Sequence, residues 1–280
     1  MPEPTVIASG ESLTLQPTDA GLAHGYGLFE SIRLQDGRLL LWSSHWQRLT
    51  ESASAFGLVC RCSETSTLEA IGRLIAMDGL QDAVIKLSLL RTGSGDNLFV
   101  YARPPIAWPE SARLSWLPQH PLAAASPLAG YKTHNYMENT YLLECARANG
   151  FADYLRLASC GSLAETTVSN IFWIKDNRLY TPDKSLGILP GVVRNTILSL
   201  ASVVGMTSRE GIYPPQSLFN AEAFFLTNAA IGLLPVDSIC GGEFDLSFES
   251  TSHPLLHQLH EALRCEQERA ASRPPTPKAV

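Results

Sequence analysis

The amino-acid sequence predicts a two-domain protein of mixed class, α+β / α/β, and three observations lead to this prediction. In several segments apolar residues recur at steps of three and four, which is typical of amphipathic helices. In other segments they alternate with polar residues, which is typical of strands covered on one face. The third observation is a stretch dense in proline and alanine, 104–129, which interrupts both patterns near the middle of the chain.

This proline- and alanine-rich stretch is the predicted domain boundary, because helices and strands rarely continue through such a composition. We place the boundary near residue 108. The predicted organisation is a smaller N-terminal α+β domain, a larger C-terminal domain and a Pro-rich tail expected to be disordered, at residues 1–107, 108–270 and 271–280.

The first domain is expected to alternate strands with two helices. Asp36-Gly37 lies between two apolar runs, which is the pattern of a two-residue hairpin loop. Ser43 or Ser44 is expected to cap the following helix, and Gly57 to end it. The expected elements are a weak strand within 5–16, the hairpin at 25–42, helices at 43–57 and 65–77, and strands at 83–91 and 98–102.

The second domain is expected to contain more strands. Gly150 is placed to end its first helix, and Asp176-Asn177 is expected to form a hairpin turn. The expected strands are 112–117, 153–158, 162–166, 169–175 and 223–227, and the expected helices are 137–149, about 191–204 and 253–268.

Composition excludes several classes of function. The chain has 280 residues, a formal net charge of −6 and no basic cluster, which argues against nucleic acid as a partner. No apolar run approaches the roughly 20 residues that span a bilayer, and no secretory signal is expected at the N-terminus. The six cysteines are scattered, so we expect free thiols and a cytoplasmic location. The histidines at 253, 257 and 260 have no carboxylate in helical register, so no metal site is expected.

Two residues in the middle of the chain could carry chemistry. Lys132 lies between the Pro-rich stretch and a predicted helix, and a lysine amine in an apolar pocket becomes a nucleophile. Glu165 lies in a short extended run with apolar neighbours, and a buried carboxylate can hold a pyridinium nitrogen protonated. On residue type alone, a solvated surface position is the more frequent alternative for both.

Four motifs, in order, resemble the class IV pyridoxal-phosphate aminotransferase family, which includes branched-chain and D-amino-acid aminotransferases and aminodeoxychorismate lyase. They are K-T-H-N-Y from Lys132, A-E-T-T-V-S-N-I-F-W-I from Ala164, L-Y-T-P from Leu179 and G-I-L-P-G-V-V-R from Gly187. The similarity runs from about residue 25 to about residue 235. The resemblance implies a D-amino-acid aminotransferase-like fold, pyridoxal 5'-phosphate bound between the two domains, a homodimer and a small-molecule substrate.

The resemblance also implies roles for individual residues. Lys132 would carry the cofactor covalently and act as the catalytic base, and Glu165 would bind the pyridine nitrogen. Arg48, in the motif His45-Trp-Gln-Arg48, would bind the phosphate, the alternative being an exposed arginine on an amphipathic helix. Tyr136 would contact the phenolic oxygen of the pyridoxal ring.

Two further positions are candidates for cofactor binding. Pro190-Gly191 opens a predicted helix, and the N–H groups of Val192 and Val193 at such an N-terminus suit a phosphate. Asn228 resembles the Thr-Asn or Cys-Asn turn of the family's lyases, whereas its amino-acid aminotransferases usually carry Gly-Thr. The alternative is a turn asparagine that bonds its own backbone.

The preferred activity is aminodeoxychorismate lyase, which converts 4-amino-4-deoxychorismate to 4-aminobenzoate and pyruvate for folate biosynthesis. The loop at 92–97 contains no cation, whereas D-amino-acid aminotransferases place an arginine and a histidine there. Arg33 and Arg91 are candidates for the substrate carboxylates, and each could equally be a structural strand residue. The alternatives are an aminotransferase for D-amino or branched-chain acids with a 2-oxo acid acceptor, and a non-catalytic protein that kept the fold.

Overall fold

The computed structural model describes residues 15–105, 107–241 and 245–275, and they divide into two compact units. The first comprises 15–105, Tyr131–Asn135 and 267–275, and the second comprises the described residues of Ala107–Gly130 and Tyr136–Glu266. The segment that carries Lys132 thus belongs to the first unit. A domain boundary near residue 108 stays a prediction, and the strand expected within 5–16 falls almost entirely outside the described residues.

The first unit contains an antiparallel sheet with helices packed on it. Its elements are α1 (Ala20–Ala23), β1 (Gly27–Gln35), β2 (Arg38–Leu39), α2 (Trp42–Ala55), α3 (Glu64–Asp78), β3 (Ala83–Thr92) and β4 (Gly95–Arg103). The strands pair in the order β2-β1-β3-β4. The predicted hairpin is confirmed, because Asp36 and Gly37 have φ angles of 50° and 68°, the left-handed values that its two-residue loop requires.

Helix α2 begins differently from the sequence prediction. Its N-cap residue is Leu41, with a φ of 54° and no side-chain cap, so the expected serine cap is wrong. The helix begins at Trp42, whose ring is 1% exposed and whose Nε1 donates to Glu64 Oε1 at 2.7 Å. A tertiary contact therefore determines the start of the helix. Helix α3 begins with a serine cap, because the Ser63 side chain accepts a hydrogen bond from the Ser66 N–H.

One face of this sheet forms the core of the first unit. On β3 the buried residues Ile85, Leu87 and Leu89 alternate with residues that face the other way, as the sequence predicted. Leu28 and Ile32 of β1 join them in the same apolar cluster, together with residues of α2 and α3. The opposite face of the sheet is therefore available for polar groups.

The segment that contains Lys132 runs beside β1. The Phe29 N–H donates to the Lys132 carbonyl at 2.9 Å, and the His134 N–H donates to the Gly27 carbonyl at 2.9 Å. Leu28 and Thr133 form an antiparallel bridge between these bonds. A second isolated bridge of this kind joins Ser272 to Leu39 through two backbone hydrogen bonds. Ser272 lies within the tail that was expected to be disordered.

The second unit contains a nine-stranded sheet. Its elements are β5 (Ala112–Leu122), α4 (Met137–Ala148), β6 (Asp153–Ala158), β7 (Leu163–Thr166), β8 (Asn170–Lys175), β9 (Arg178–Pro182), α5 (Val192–Leu200), β10 (Thr207–Gly211), β11 (Ala223–Asn228), β12 (Gly232–Cys240), β13 (Leu246–Ser247) and most of α6 (Pro254–Arg269), whose residues from 267 belong to the first unit, with 3-10 turns at Lys184–Leu186, Pro215–Leu218 and Ser250–Ser252. The strand order is β10-β9-β8-β11-β12-β5-β6-β7. Because β7 also pairs with β8, the path from β8 to β7 closes on itself as a barrel does.

Several strands of the second unit have no clear sequence signal. Strand β10 is polar (T-S-R-E-G) and exists through parallel pairing with β9. Strand β12 contains Pro235, and a proline argues against a strand when the sequence is considered alone, because it has no N–H to donate. In the structure Pro235 nevertheless lies opposite Phe225 of β11. The predicted turn at Asp176 and Asn177 is confirmed, with φ angles of 51° and 55°.

Two expectations from composition can be compared with the structure. All six cysteines are free, which confirms the expected thiols. Among the residues that the structure describes, no helix has both the length and the apolar character needed to cross a membrane.

Candidate active site

Lys132 of the first unit lies over an aromatic ring. Its Nζ is 4.4 Å from the centroid of the Phe29 ring, within the range of a cation–π contact. Because the Lys132 carbonyl accepts a hydrogen bond from the Phe29 N–H, the backbone holds the lysine and the ring in register. The side chain is partly buried, and its role as the covalent attachment site stays a prediction.

Arg48 belongs to a buried cluster of charged groups in the same unit. Its Nε and one terminal nitrogen donate to the two oxygens of Glu30, each at 2.7 Å, and His45 Nδ1 lies 2.8 Å from Glu30 Oε2. Burial acts to raise the pKa of Glu30, but the Arg48 charge and these hydrogen bonds outweigh it and hold the pKa well below its usual range. Burial lowers the pKa of His45, although Glu30 opposes the shift. Arg48 is therefore oriented by Glu30, and it is not an exposed helix arginine.

Glu165 lies in β7 of the second unit and is 9% exposed. Its Oε2 accepts hydrogen bonds from Asn170 Nδ2 and from the Leu189 N–H, both at 3.1 Å. Asn170 is also the residue that pairs with Glu165 where β7 meets β8. The closure of the strand path therefore fixes the position of this carboxylate.

The N-terminus of α5 lies against the same asparagine. Gly191 is the N-cap residue, and Val192 and Val193 form the first helical positions, both buried. A Cβ atom at Gly191 would collide with the Asn170 side-chain oxygen. Glycine is thus required at position 191, because the backbone there lies close to the Asn170 side chain. The N-terminus of α5 therefore lies next to Asn170, the residue that bonds Glu165.

Tyr136 and Asn228 both bond the loop that follows Glu165. The Tyr136 hydroxyl donates to the Thr167 carbonyl at 3.4 Å. Asn228 Nδ2 donates to Ser169 Oγ at 3.0 Å, and its Oδ1 accepts from the N–H groups of the two residues at 230 and 231, at 2.9 and 3.0 Å. The Asn228 side-chain oxygen therefore stabilises the turn that follows this residue, as in the alternative of a turn asparagine. Its Nδ2 group holds the loop at 168–169.

Arg33 and Arg91 are engaged by neighbouring carboxylates. Arg33 forms an ion pair with Asp82 at 2.5 Å and donates to the Ala83 carbonyl at 3.2 Å. Arg91 Nε donates to Asp96 Oδ1 at 3.0 Å, and its terminal nitrogen donates to the Gly57 carbonyl at 2.7 Å. These contacts support the structural alternative for each arginine, and a role with substrate stays a prediction.

The structure thus gathers the candidates of the second unit around one segment, 165–170. Glu165 begins it, Tyr136 and Asn228 bond its middle, and the N-terminus of α5 lies against its end. In the first unit, Lys132 and Arg48 lie on opposite faces of β1, because the neighbouring residues Phe29 and Glu30 that they contact point to opposite sides.

Sequence reasoning missed several residues that build these positions. Asn170 lies within the motif that begins at Ala164, but the sequence assigned it no role, although its side chain bonds Glu165 and lies against Gly191. Glu30 was missed despite a usable signal, since a carboxylate inside an apolar strand requires a buried partner. Lys86 and His134 were missed because only the pairing of strands reveals their surroundings.

Comparison with known proteins adds three relatives. The chain is 28% identical over 238 residues to the aminodeoxychorismate lyase of Bacillus subtilis, covering 80% of this chain and 81% of that one. It is 26% identical over 243 residues to the branched-chain-amino-acid aminotransferase of Escherichia coli K12, covering 79% and 78%. A solved structure from Legionella pneumophila, provisionally named a 4-amino-4-deoxychorismate lyase, is 28% identical, with coverage of 93% and 98% and a TM-score of 0.84.

These similarities confirm the predicted fold class, because the neighbours superpose over nearly the whole chain. The predicted enzymatic character is likewise confirmed, since the relatives are lyases and aminotransferases. The family model for class IV aminotransferases matches residues 27–239. The chain therefore belongs to the class IV aminotransferase family.

Proposed function

We propose that the protein is an aminodeoxychorismate lyase that uses pyridoxal 5'-phosphate. Members of its family depend on this cofactor, and two of its relatives carry the lyase name. The reaction would convert 4-amino-4-deoxychorismate to 4-aminobenzoate and pyruvate, a step of folate biosynthesis.

The donor groups of the chain suit a phosphorylated pyridine. A buried carboxylate, Glu165, can accept a hydrogen bond from a protonated ring nitrogen, and the N–H groups of Val192 and Val193 at a helix start suit a phosphate. Thr227 supports the fit, because its buried hydroxyl has no hydrogen-bond partner among the described residues and the residue pairs with Asn170. Arg48 and Tyr136 would bind the phosphate and the phenolic oxygen, and Asn228 would hold the loop that orders these groups.

The chemistry of the site follows from the residues that would surround the substrate. The bound cofactor supplies an electron sink for a carbanion. Lys132 would remove the proton from the amine-bearing ring carbon, and Glu165 would keep the pyridine nitrogen protonated so that the sink remains effective. The C–O bond to the enolpyruvyl group then breaks, and the ring becomes aromatic. The leaving group takes up one proton to become pyruvate, which balances the proton removed from the ring carbon.

The observation that favours a lyase over an aminotransferase is the turn between β3 and β4 together with the adjoining strand ends. Residues 92–97 carry no cation, and Arg91, the cation next to them, is held by Asp96. A loop of this kind does not provide the arginine and histidine that D-amino-acid aminotransferases use for a substrate carboxylate. The second candidate remains a branched-chain aminotransferase, because such enzymes are almost as similar in sequence.

The test compares two reactions of the same purified holoenzyme. With 4-amino-4-deoxychorismate we expect 4-aminobenzoate and pyruvate to appear in equal amounts. With a panel of D- and L-amino acids and no oxo acid we expect an unchanged absorption spectrum. Conversion to the pyridoxamine form with an amino acid, without pyruvate release from aminodeoxychorismate, would replace the lyase by an aminotransferase.

The proposal extends to the cellular location and the assembly of the enzyme. A cytoplasmic homodimer is the arrangement that the resemblance and the free thiols support. Substrates of this family are small molecules. The protein partner that the resemblance implies is a second copy of the chain.

A further inference from the structure

The face of the first sheet opposite its apolar core carries a group of polar side chains. In antiparallel strands, residues directly opposite one another share a face. Phe29 lies opposite Ser88, and Ser31 lies opposite Lys86, in the pairing of β1 with β3. Because Phe29 and Ser31 are two residues apart, all four side chains lie on one face, which is not the face of Ile85 and Leu87.

A lysine amine of this face is held beside an aromatic ring. Lys86 Nζ lies 3.7 Å from the centroid of the Phe29 ring and donates to Ser31 Oγ at 2.8 Å. Lys132 Nζ lies 4.4 Å from the same centroid. An ammonium group has three donors, so the bond to Ser31 leaves Lys86 able to donate to a ligand.

Two buried polar atoms near the same ring have no hydrogen-bond partner among the described residues. One is Ser88 Oγ, in a residue that is 3% exposed. The other is His134 Nε2, in a ring whose centroid is 5.4 Å from that of Phe29. Buried polar groups are nearly always paired, so two unpaired atoms beside a lysine indicate a place for a ligand.

The charges around this group are mainly positive. Burial, with the charges of Lys132 and of Arg103 on β4, lowers the pKa of Lys86 to about 6, and Glu30 on the other face of β1 opposes the shift only in part. Tyr101 is the titratable residue opposite Lys86 on β4. Burial and the charge of Lys86 lower the pKa of His134 to about 4, although a hydrogen bond with the Leu28 backbone opposes this.

We infer that Lys86, Ser88 and His134 form a subsite for the ring-borne carboxylate of the substrate. This inference rests on the proposed lyase function and deepens it. A carboxylate has two oxygens that accept several hydrogen bonds, which matches an amine, a hydroxyl and an imidazole around one ring. Phe29, and Phe99 opposite Ser88 on β4, supply apolar surface for the carbocycle that carries the carboxylate.

Binding at this subsite takes up protons. Near pH 7.5 the amine of Lys86 and the imidazole of His134 are mostly neutral, because both groups titrate below that pH in the absence of a ligand. An adjacent carboxylate favours the charged form of each group. The complex therefore binds more protons than the separate protein and ligand do.

The experiment measures the binding of 4-aminobenzoate to the holoenzyme by calorimetry at pH 7.5 in phosphate and in Tris. Uncharged 4-aminobenzamide is the matched ligand, and Lys86→Met is the main variant, because methionine keeps an apolar chain over Phe29. We expect the wild-type enthalpy for 4-aminobenzoate to depend on the buffer. We expect Lys86→Met to weaken this binding at least tenfold, to reduce the buffer dependence to the part that His134 contributes and to leave 4-aminobenzamide binding unchanged.

Three further variants complete the design. Lys86→Arg keeps a cation and is expected to retain most of the carboxylate affinity, while Lys175→Met, at the end of β8, is the control for a lysine elsewhere. His134→Leu is expected to weaken the carboxylate by a smaller factor than Lys86→Met. Retention of a borohydride-reducible chromophore in each variant shows that the site around Lys132 is still folded.

The outcomes separate this inference from the proposed function. Equal affinity of wild type and Lys86→Met for 4-aminobenzoate, in an enzyme that releases pyruvate, would overturn the subsite and leave the lyase standing. Buffer-dependent binding that is weakened in Lys86→Met, in an enzyme that releases no pyruvate, would support a carboxylate subsite and reject the lyase.

Discussion

Lys132 is positioned by backbone hydrogen bonds that do not involve its own amine. The bonds from Phe29 to Lys132 and from His134 to Gly27 align its segment with β1. The side chain can therefore be changed without removing the contacts that place the segment, and this makes a substitution informative about chemistry.

Lys132→Ala is expected to abolish turnover together with the borohydride-reducible chromophore, because no amine would remain at this position to form the covalent bond. The measurement is mass spectrometry of the reduced protein alongside product release. Lys184 is exposed, and Lys184→Ala serves as the control. In this variant borohydride reduction should still attach the cofactor to Lys132, and turnover should be normal. Labelling of Lys86 in the Lys132→Ala variant would reject the assignment of the attachment site.

Glu165→Gln is expected to leave the cofactor bound while lowering kcat by about 100- to 1,000-fold, the cost of removing one key electrostatic group. A glutamine oxygen can still accept the bonds from Asn170 and Leu189, so the local structure should persist. Stopped-flow absorbance and steady-state rates measure the two effects. Glu144→Gln, on the exposed side of α4, should be indistinguishable from wild type; a normal rate in Glu165→Gln would mean that another group holds the ring nitrogen.

At the scale of elements, the close approach of α5 to β8 places the candidate phosphate-binding N–H groups. Gly191→Ala would bring a Cβ atom into the Asn170 side chain, whose amide bonds Glu165 and the Leu189 carbonyl. Loss of a hydrogen bond to a charged group costs about 1.5–3 kcal/mol, so we expect cofactor affinity to fall at least tenfold. Titration of the apoprotein with pyridoxal phosphate measures it.

The control for this substitution is Gly150→Ala, at the end of α4. Gly150 has a φ of 80° and open space where a Cβ would lie, so alanine should lower stability by about 1–2 kcal/mol through backbone strain. Its cofactor affinity should stay at the wild-type value. Similar losses of cofactor affinity in both variants would mean that general destabilisation, and not the contact with Asn170, explains the result for Gly191.

The packing of α2 on β1 is expected to make stability depend on pH. His45 is 1% exposed and its pKa is lowered by burial, so the unfolded chain takes up a proton near pH 6.5 that the folded chain excludes. The stability contributed by neutral His45 is present above pH 6.5 and is lost as the pH falls below it, with a slope of up to about 1.4 kcal/mol per pH unit. Buried Glu30, with its lowered pKa, adds a loss in the same direction below about pH 4.5.

His45→Gln tests this dependence because glutamine can still donate a hydrogen bond to Glu30. Urea unfolding between pH 8 and pH 5 should show a smaller fall in stability for the variant than for wild type. The exposed His257→Gln should leave the slope unchanged. An equal slope in His45→Gln would show that other groups, including His134, account for the whole effect.

At the scale of the whole molecule, the prediction that concerns assembly is the homodimer. We expect a molar mass of about twice that of one chain by light scattering at micromolar concentration, since the resemblance implies that two copies complete the active sites. Dilution that separates the copies should reduce specific activity in parallel. Full activity of a protein that has the mass of one chain would contradict the prediction.

Much of the fold could be predicted because its signals are local. Asp36-Gly37 and Asp176-Asn177 specify tight turns through backbone conformation. Strands β10 and β12 could not be predicted, because one is polar and the other contains Pro235. Strand β10 forms through parallel pairing with β9, and β12 pairs with distant β5 as well as with its neighbour β11. The predicted start of α2 was wrong for a similar reason, since the burial of Trp42, and not a serine cap, determines where this helix begins.

For the candidate site, the sequence alone determined the family motifs and the identity of Lys132, Glu165 and Arg48 as its candidates, because ordered motifs are a property of the chain itself. Only the tertiary structure decided which groups hold them: Glu30 for Arg48, and Asn170 for Glu165. It also decided that Lys86 and His134 lie beside Phe29. The physical reason is that burial and pairing depend on which strands become neighbours, and strand pairing joins residues that are far apart along the chain.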